Sequence, residues 1–241
     1  MLSLEQTLVM QGENLNVSCL LVFGSRLICG AAVGSLQVMN VFTGNCDQIL
    51  LDQTSRVVAL AKCRRYLVSC SQDKIIKVYM RKIGPVVNGD ARQLVCVKTL
   101  QERESFVQSL AVWQDRTVVG MSDSSIRLLN IIEDHVTNNM LNSYGNGAYE
   151  LLVHRDRLFS ASRNGLIEVW DLATLDMVFT VQGYNRIEGL LRQQYSQCLA
   201  ISGTKLISGS VVPAMKRAEV QVWDLETMHQ EHTINALGSA L

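Results

Sequence analysis

The sequence predicts an all-β protein of 241 residues in which one four-stranded unit is repeated five times. The clearest copy of its central hairpin covers residues 157–171, where Asn164-Gly165 stands between two runs of alternating apolar residues. Asn-Gly is the strongest short-range hairpin signal, because both residues accept the positive φ angles of a two-residue turn. The same pattern recurs along the chain, which makes the repeat the organising feature.

The repeats are aligned on an apolar–polar–apolar triplet in the third strand of each copy. These triplets begin at Leu36, Ile76, Ile126, Ile167 and Val220, so the copies recur every 40 to 53 residues. Four short strands at a period near 40 to 45 residues are the pattern of a β-propeller blade. The predicted repeats cover approximately residues 15–50, 55–100, 105–141, 147–182 and 187–234, within a single domain over 1–241.

Each strand of the unit has its own pattern. The first two strands are nearly continuous apolar runs, which predicts burial on both faces. The third strand alternates, and the fourth is the most polar, as expected of an outer edge. One aligned position in the second strand always holds a small residue, which predicts crowding there: Gly30, Cys70, Gly120, Ala161 and Gly209.

Residues 160–172 resemble the consensus of the WD-repeat family almost position by position, and 220–225 match it again. Copies two and three carry the Ser-Asp turn of that family at Asp73 and Asp123. The resemblance covers about residues 15 to 232 and implies structural roles for those two aspartates and for Trp170, Asp171, Trp223 and Asp224. No copy has the family's Gly-His pair, so Asp73 and Asp123 must find other donors, from the backbone or from serines.

The count of strands leaves ring closure open. Residues 8–12 resemble 179–183, the fourth strand of copy four, so an extra outer strand is predicted at the N-terminus. The chain would then end with another outer strand at 228–234, one too many for a closed ring of five blades. Three hypotheses remain: the chain is part of a longer protein, it closes as an unusual small ring, or a partner or second copy completes it.

Composition argues against several classes of function. Lys plus Arg equals Asp plus Glu, 22 of each, so no basic excess indicates a nucleic-acid partner. No apolar run is long enough to span a bilayer, and residues 1–11 do not resemble a secretory signal. Seven cysteines without a CxxC pair predict reduced thiols and an intracellular location, cytoplasmic or nuclear. We expect no catalytic residues, no metal site and no cofactor.

The candidate binding residues follow from the alignment. Residues at the mouth of the ring precede the turn after the second strand or enter the first strand, and they differ in every copy: Arg56, Gln72, Phe106, Ser122, Tyr149 and Arg163. Two insertions, 183–197 and 211–218, are predicted to form adjacent loops on the same side. They contribute a patch that prefers an acidic peptide: Tyr184, Arg186, Arg192, Lys216 and Arg217. If residues 187–191 were instead the first strand of copy five, the extra residues would fall on the opposite side.

The leading prediction is a non-enzymatic scaffold that recognises a protein segment. In its compact hairpins, at 156–162 and 204–210, the chain resembles propellers of F-box and TRAF-type ubiquitin ligases and of myosin-heavy-chain kinases. That resemblance implies substrate recognition within a ubiquitin ligase or a signalling complex. The alternatives are a propeller subunit associated with RNA or nucleoprotein, and a propeller enzyme.

Overall fold

The computed structural model describes residues 16–87, 90–101, 105–131, 139–142, 147–162, 165–182, 195–212 and 217–237. Their secondary structure is all β, in agreement with the predicted fold class. The chain divides into two compact units, Met1–Glu104 and Ser105–Leu241. The predicted single domain over 1–241 therefore stays a prediction, and the extra N-terminal strand at 8–12 lies outside the described residues.

The first unit contains two four-stranded antiparallel sheets, each in sequential strand order. We call them blades 1 and 2. Blade 1 consists of β1 (Val17–Phe23), β2 (Arg26–Ala31), β3 (Leu36–Asn40) and β4 (Cys46–Leu50). Blade 2 consists of β5 (Val57–Cys63), β6 (Tyr66–Ser71), β7 (Ile75–Val87) and β8 (Asp90–Gln101).

The second unit contains three such sheets, blades 3 to 5. Blade 3 consists of β9 (Val107–Trp113), β10 (Arg116–Met121), β11 (Ser125–Leu129) and β12 (Asn139–Asn142). Blade 4 consists of β13 (Ala148–His154), β14 (Arg157–Ser162), β15 (Leu166–Asp171) and β16 (Met177–Gln182). Blade 5 consists of β17 (Tyr195–Ser202), β18 (Lys205–Val212), β19 (Arg217–Asp224) and β20 (Gln230–Leu237).

The turn between the third and fourth strands has one design in blades 1, 4 and 5. In blade 4, the Asp171 carboxylate accepts hydrogen bonds from the backbone N–H groups of Ala173 (2.8 Å) and Thr174 (3.1 Å). Asp224 and Asn40 do the same for the residues two and three positions after them. An acceptor oxygen is all that this turn requires, which explains why asparagine replaces aspartate in blade 1.

Insertions in this fold lengthen hairpins. Residues 81–87 and 90–92, which the repeat alignment leaves between the third and fourth strands of copy two, belong to β7 and β8, whose pairing extends from Ile75↔Gln101 to Val87↔Asp90. In blade 5, Val211 and Arg217 also lie in strands, with Val212 opposite Arg217. The predicted loop at 211–218 is therefore wrong at 211–212 and 217–218, because paired strands there satisfy backbone N–H and C=O groups that a loop would have to leave to water.

The predicted burial of the first two strands is only partly right. The second strands are buried, but Leu20 and Val22 of β1 are 59% and 61% exposed. Conversely, the polar residue of the third strand is buried in several blades: Glu168 is 0% exposed and Gln221 is 2% exposed. A single alternating strand cannot reveal whether another sheet covers its polar face, since that depends on residues far away in sequence.

Candidate functional site

The predicted mouth residues of blades 2 and 3 are brought together in pairs. The residue after the second strand donates its backbone N–H to the carbonyl of the residue that enters the first strand. The distances are 3.0 Å from Gln72 to Arg56 and 2.9 Å from Ser122 to Phe106. In blade 3 the Phe106 N–H also donates to Ser122 Oγ at 3.1 Å. Each pair therefore has a fixed backbone on which its side chains vary.

The second unit exposes two aromatic side chains at these positions. Phe106 is 51% exposed at the start of blade 3, and Tyr149 is 38% exposed at the start of blade 4. Their strands are held together by a 2.6 Å hydrogen bond from Ser109 Oγ to the carbonyl of Ala148. We call Phe106, Ser122 and Tyr149 the unit-2 mouth. Arg163, the fourth predicted member, lies outside the described residues.

The first unit offers polar side chains at the equivalent place. Arg56 and Gln72 are both exposed beside their shared backbone hydrogen bond. The remaining predicted contacts, Tyr184, Arg186, Arg192 and Lys216, lie outside the described residues. Arg217 is placed at the start of β19 rather than in a loop. The first strand of blade 5 is Tyr195–Ser202, which agrees with the alignment on Cys198–Ile201 and not with a first strand at 187–191.

The turn aspartates Asp73 and Asp123 accept hydrogen bonds from other donors in place of the missing histidine. Asp73 accepts hydrogen bonds from Ser71 Oγ, from the Ile75 N–H (3.1 Å), and from the N–H and hydroxyl of Thr54 (3.1 and 2.8 Å). Partial burial acts to raise the pKa of the Asp73 carboxyl, but these hydrogen bonds together outweigh it and hold the pKa below its usual value. Asp73 is therefore an anchor for its turn, held in its ionised form.

Asp123 holds the equivalent turn in blade 3. It accepts hydrogen bonds from the N–H (2.9 Å) and hydroxyl (2.6 Å) of Ser125. Its pKa is likewise lowered, because these bonds outweigh the effect of partial burial. Both carboxylates therefore serve to hold the turns in which they lie.

The two conspicuous tryptophans are core residues. Trp170 is 5% exposed and packs among Val118, Ile126 and Leu128 of the preceding blade. Trp223 is 4% exposed and donates its indole N–H to Ser208 Oγ at 3.0 Å. Neither ring is accessible to stack on a ligand.

The described residues contain no group of three or more His, Cys, Asp or Glu side chains that could hold a metal ion. All seven cysteines lie in described strands and none forms a disulfide. Burial raises the pKa of the Cys19 thiol to about 11, so it is protonated at neutral pH. Over the same residues, no helix is long and apolar enough to cross a membrane.

Comparison with known proteins identifies this architecture. The model of the WD domain, G-beta repeat family matches residues 40–79. The fold matches the solved structures entitled "Crystal structure of RRP9 WD40 repeats" and "Structure of U3-55K", each at 18% identity with a TM-score of 0.72. It also matches a chain in "Crystal Structure of Mitotic Checkpoint Complex", at 18% identity with a TM-score of 0.73. The chain has the β-propeller fold of these WD-repeat structures, and its residues 40–79 match one WD repeat.

The chain aligns over 92% of its own length with the first of these structures but covers only 64% of that chain. For the mitotic checkpoint complex the shares are 95% and 69%, and for U3-55K they are 92% and 64%. The chain thus spans about two thirds of the length of these solved WD-repeat structures. A search of curated proteins gives no significant match.

The WD-repeat match also shows how sequence repeat and blade are offset. Residues 40–79 begin just before β4, the outer strand of blade 1, and end within β7, the third strand of blade 2. Within this stretch, Gln53 and Thr54 precede the first strand, and Gln53 Nε2 donates to Ser69 Oγ at 2.9 Å. Sequence reasoning missed both residues, although they stand just before the first strand, where the family's histidine was expected.

Proposed function

We propose that this WD-repeat protein is a non-enzymatic interaction module that holds a segment of another protein at its mouth residues. The observation that carries the proposal is the exposure of Phe106 and Tyr149 on two blades that pack against each other. Exposed aromatic side chains on a rigid support are the residue type that most often dominates binding energy in protein interfaces. A third solved chain of this fold lies within a protein complex, which agrees with such a role.

The fixed backbone around Phe106 and Tyr149 also supports a role of the unit-2 mouth in binding. The backbone at Phe106 is held by two hydrogen bonds to Ser122, and Gly147 N–H donates to Ser124 Oγ at 2.9 Å directly before Tyr149. A binding surface whose backbone is already fixed loses less conformational entropy on association. The unit-2 mouth would therefore act as a preformed site.

We propose that the bound segment of the partner protein is acidic. Arg56 is exposed at the mouth of the first unit, and the inserted segments add Arg186, Arg192, Lys216 and Arg217 to the sequence near copy five. Arginine forms bidentate hydrogen bonds with carboxylates, which favours acidic side chains in a bound peptide.

A more specific role is substrate recognition within a ubiquitin ligase or signalling complex, at an intracellular location. It is supported by the resemblance of the 156–162 and 204–210 hairpins to propellers of that kind. The RNA-associated alternative predicts a steep loss of binding with salt, and capture of an RNA or nucleoprotein with that dependence would favour it over a protein ligand.

The test is affinity purification with mass spectrometry from the native cell, comparing the wild type with a Phe106→Ala, Tyr149→Ala double variant. Loss of an aromatic contact that dominates an interface costs about 2 kcal/mol or more, so we expect capture of at least one partner to fall on the order of tenfold or more. The matched control is Phe42→Ala, since Phe42 is 80% exposed on a turn between third and fourth strands. Equal capture of every protein by the double variant and the control would refute the proposal.

A further inference from the structure

Blade packing in this protein repeats one contact. A trailing face, made of three apolar side chains from the second and third strands, meets a leading face on the next blade, made of one side chain from each of its first three strands. Three such contacts lie within the units: Ile28, Leu36 and Val38 with Leu60, Leu67 and Tyr79; Val118, Ile126 and Leu128 with Leu151, Leu158 and Trp170; and Phe159, Ile167 and Val169 with Leu199, Leu206 and Trp223.

Blade 5 has a trailing face that the described residues do not fill. Ile207, Val220 and Val222 occupy the positions of Phe159, Ile167 and Val169, which are each 0% exposed in blade 4. In blade 5 all three are only half-buried. Ile234, paired with Val220 on the same face, is 58% exposed. Apolar residues of blade 5 thus stand at positions that the next blade covers in blade 4.

Blade 1 has the complementary surface. Leu20, Leu27 and Met39 occupy the positions of Leu199, Leu206 and Trp223, and therefore form a leading face. Met39 is buried and Leu27 is half-buried, but Leu20 is 59% exposed. Val22 lies two residues away on the same face and is 61% exposed. Among the described residues, no trailing face covers Leu20, although leucine at this position docks on the preceding blade in blades 2, 4 and 5.

From these two faces we infer that copies of this chain associate head to tail, with the leading face of blade 1 in one copy packed on the trailing face of blade 5 in another. The chain carries both halves of a contact that it makes three times within its units. Two trailing faces would not reproduce that contact, because neither supplies the first-strand leucine that every leading face contributes. The interface is therefore heterologous, which permits chains of copies to grow.

Charge does not oppose this contact. Lys205 lies on the trailing face two residues before Ile207, and it pairs with Asp224 (3.1 Å) and with Glu231. The three charged groups satisfy one another at the edge of the apolar surface. An apolar face bordered by compensated charges can be covered without leaving a lone charge buried.

The test uses size-exclusion chromatography with light scattering on the full chain over a wide concentration series. We expect the wild type to grow in multiples of the 26.8 kDa chain mass. Leu20→Glu damages the leading face and Ile234→Glu the trailing face, at side chains of nearly equal exposure, so each variant alone stays a monomer. An equimolar mixture of the two should form a dimer, since each retains the face that the other lacks. Ile83→Glu, at an 88% exposed residue of the β7–β8 hairpin, is the control and should assemble like the wild type.

Three results would overturn the inference. The first is a wild type that remains monomeric at every concentration. The second is assembly that persists in both the Leu20→Glu and Ile234→Glu variants. The third is a two-fold dimer that one variant abolishes and that mixing does not restore. Thermal unfolding of each variant, with a transition close to that of the wild type, shows that loss of assembly does not come from loss of the fold.

Discussion

Gly120 and Gly209 occupy the same position in the second strands of blades 3 and 5, yet alanine should affect them very differently. A methyl carbon built at Gly120 would lie 2.4 Å from Ser109 Oγ and 2.7 Å from the carbonyl oxygen of Ala148. At Gly209 the only atom of the described residues within 4 Å is Cys198 Sγ, at 2.5 Å. The first obstacle includes the backbone of the next blade, whereas the second is the end of an exposed side chain that can rotate away.

The magnitude for Gly120→Ala follows from what must move. Real methyl carbons essentially never lie within 3.0 Å of another heavy atom, so both the Ser109 side chain and strand β13 have to shift. Overpacking of this kind costs about 1–3 kcal/mol. Disturbing the hydrogen bond between Ser109 and Ala148 adds about 1 kcal/mol, and the lower entropy of alanine in the unfolded chain returns about 0.5–1 kcal/mol. We therefore expect a net loss of about 2 kcal/mol.

The assay is chemical denaturation of Gly120→Ala, Gly209→Ala and the wild type at a concentration where all are monomeric. Gly120→Ala should lower the free energy of unfolding by about 2 kcal/mol, or Tm by about 4–8 °C for a chain of this size. Gly209→Ala should change it by less than about 0.5 kcal/mol, as a substitution without a buried obstacle does. Equal losses in the two variants would refute the reasoning, because the shared strand position would then matter more than the neighbouring backbone.

Three further predictions concern packing, turns and acid. Trp170→Ala should destabilise the fold by about 3–5 kcal/mol in denaturant titration, and an unchanged stability would make the blade assignment wrong. Arg155 has a φ of 55° and Gly203 a φ of 59°, both in turns between first and second strands. Arg155→Gly should therefore raise the free energy of unfolding, and Gly203→Ala should lower it, by about 1 kcal/mol each. Thermal melts in which both variants shift Tm in the same direction would contradict this. Because hydrogen bonds lower the pKa of Asp73, its contribution is present above the unfolded carboxyl pKa of about 3.9 and is lost as pH falls through the folded value. The stability gap between wild type and Asp73→Asn should accordingly shrink from pH 7 towards pH 3, and a constant gap would show that the carboxylate charge is not involved.

Local chemistry explains why so much of the blade could be predicted from sequence. Asn164-Gly165, the Asp171 turn and the Asp73 turn depend on residues only a few positions apart, and their φ preferences and hydrogen bonds act within that range. The repeat spacing then placed four strands in each blade and identified one small residue in every second strand. Alignment also placed Arg56 and Gln72 at the mouth, since both positions are fixed relative to one hairpin, but it did not predict the hydrogen bond between them.

The sequence by itself determined the repeat, the strand order and the turn residues, because these depend on periodicity and short-range hydrogen bonding. Only the tertiary structure decided which faces are covered: Glu168 is fully buried, whereas Leu20, in a strand predicted to be buried, is 59% exposed. It also decided that residues 81–87, 90–92 and 211–212, together with Arg217, lie in paired strands. Burial depends on whether another sheet lies opposite, and the residues of that sheet are about forty positions away along the chain, beyond the reach of any local pattern.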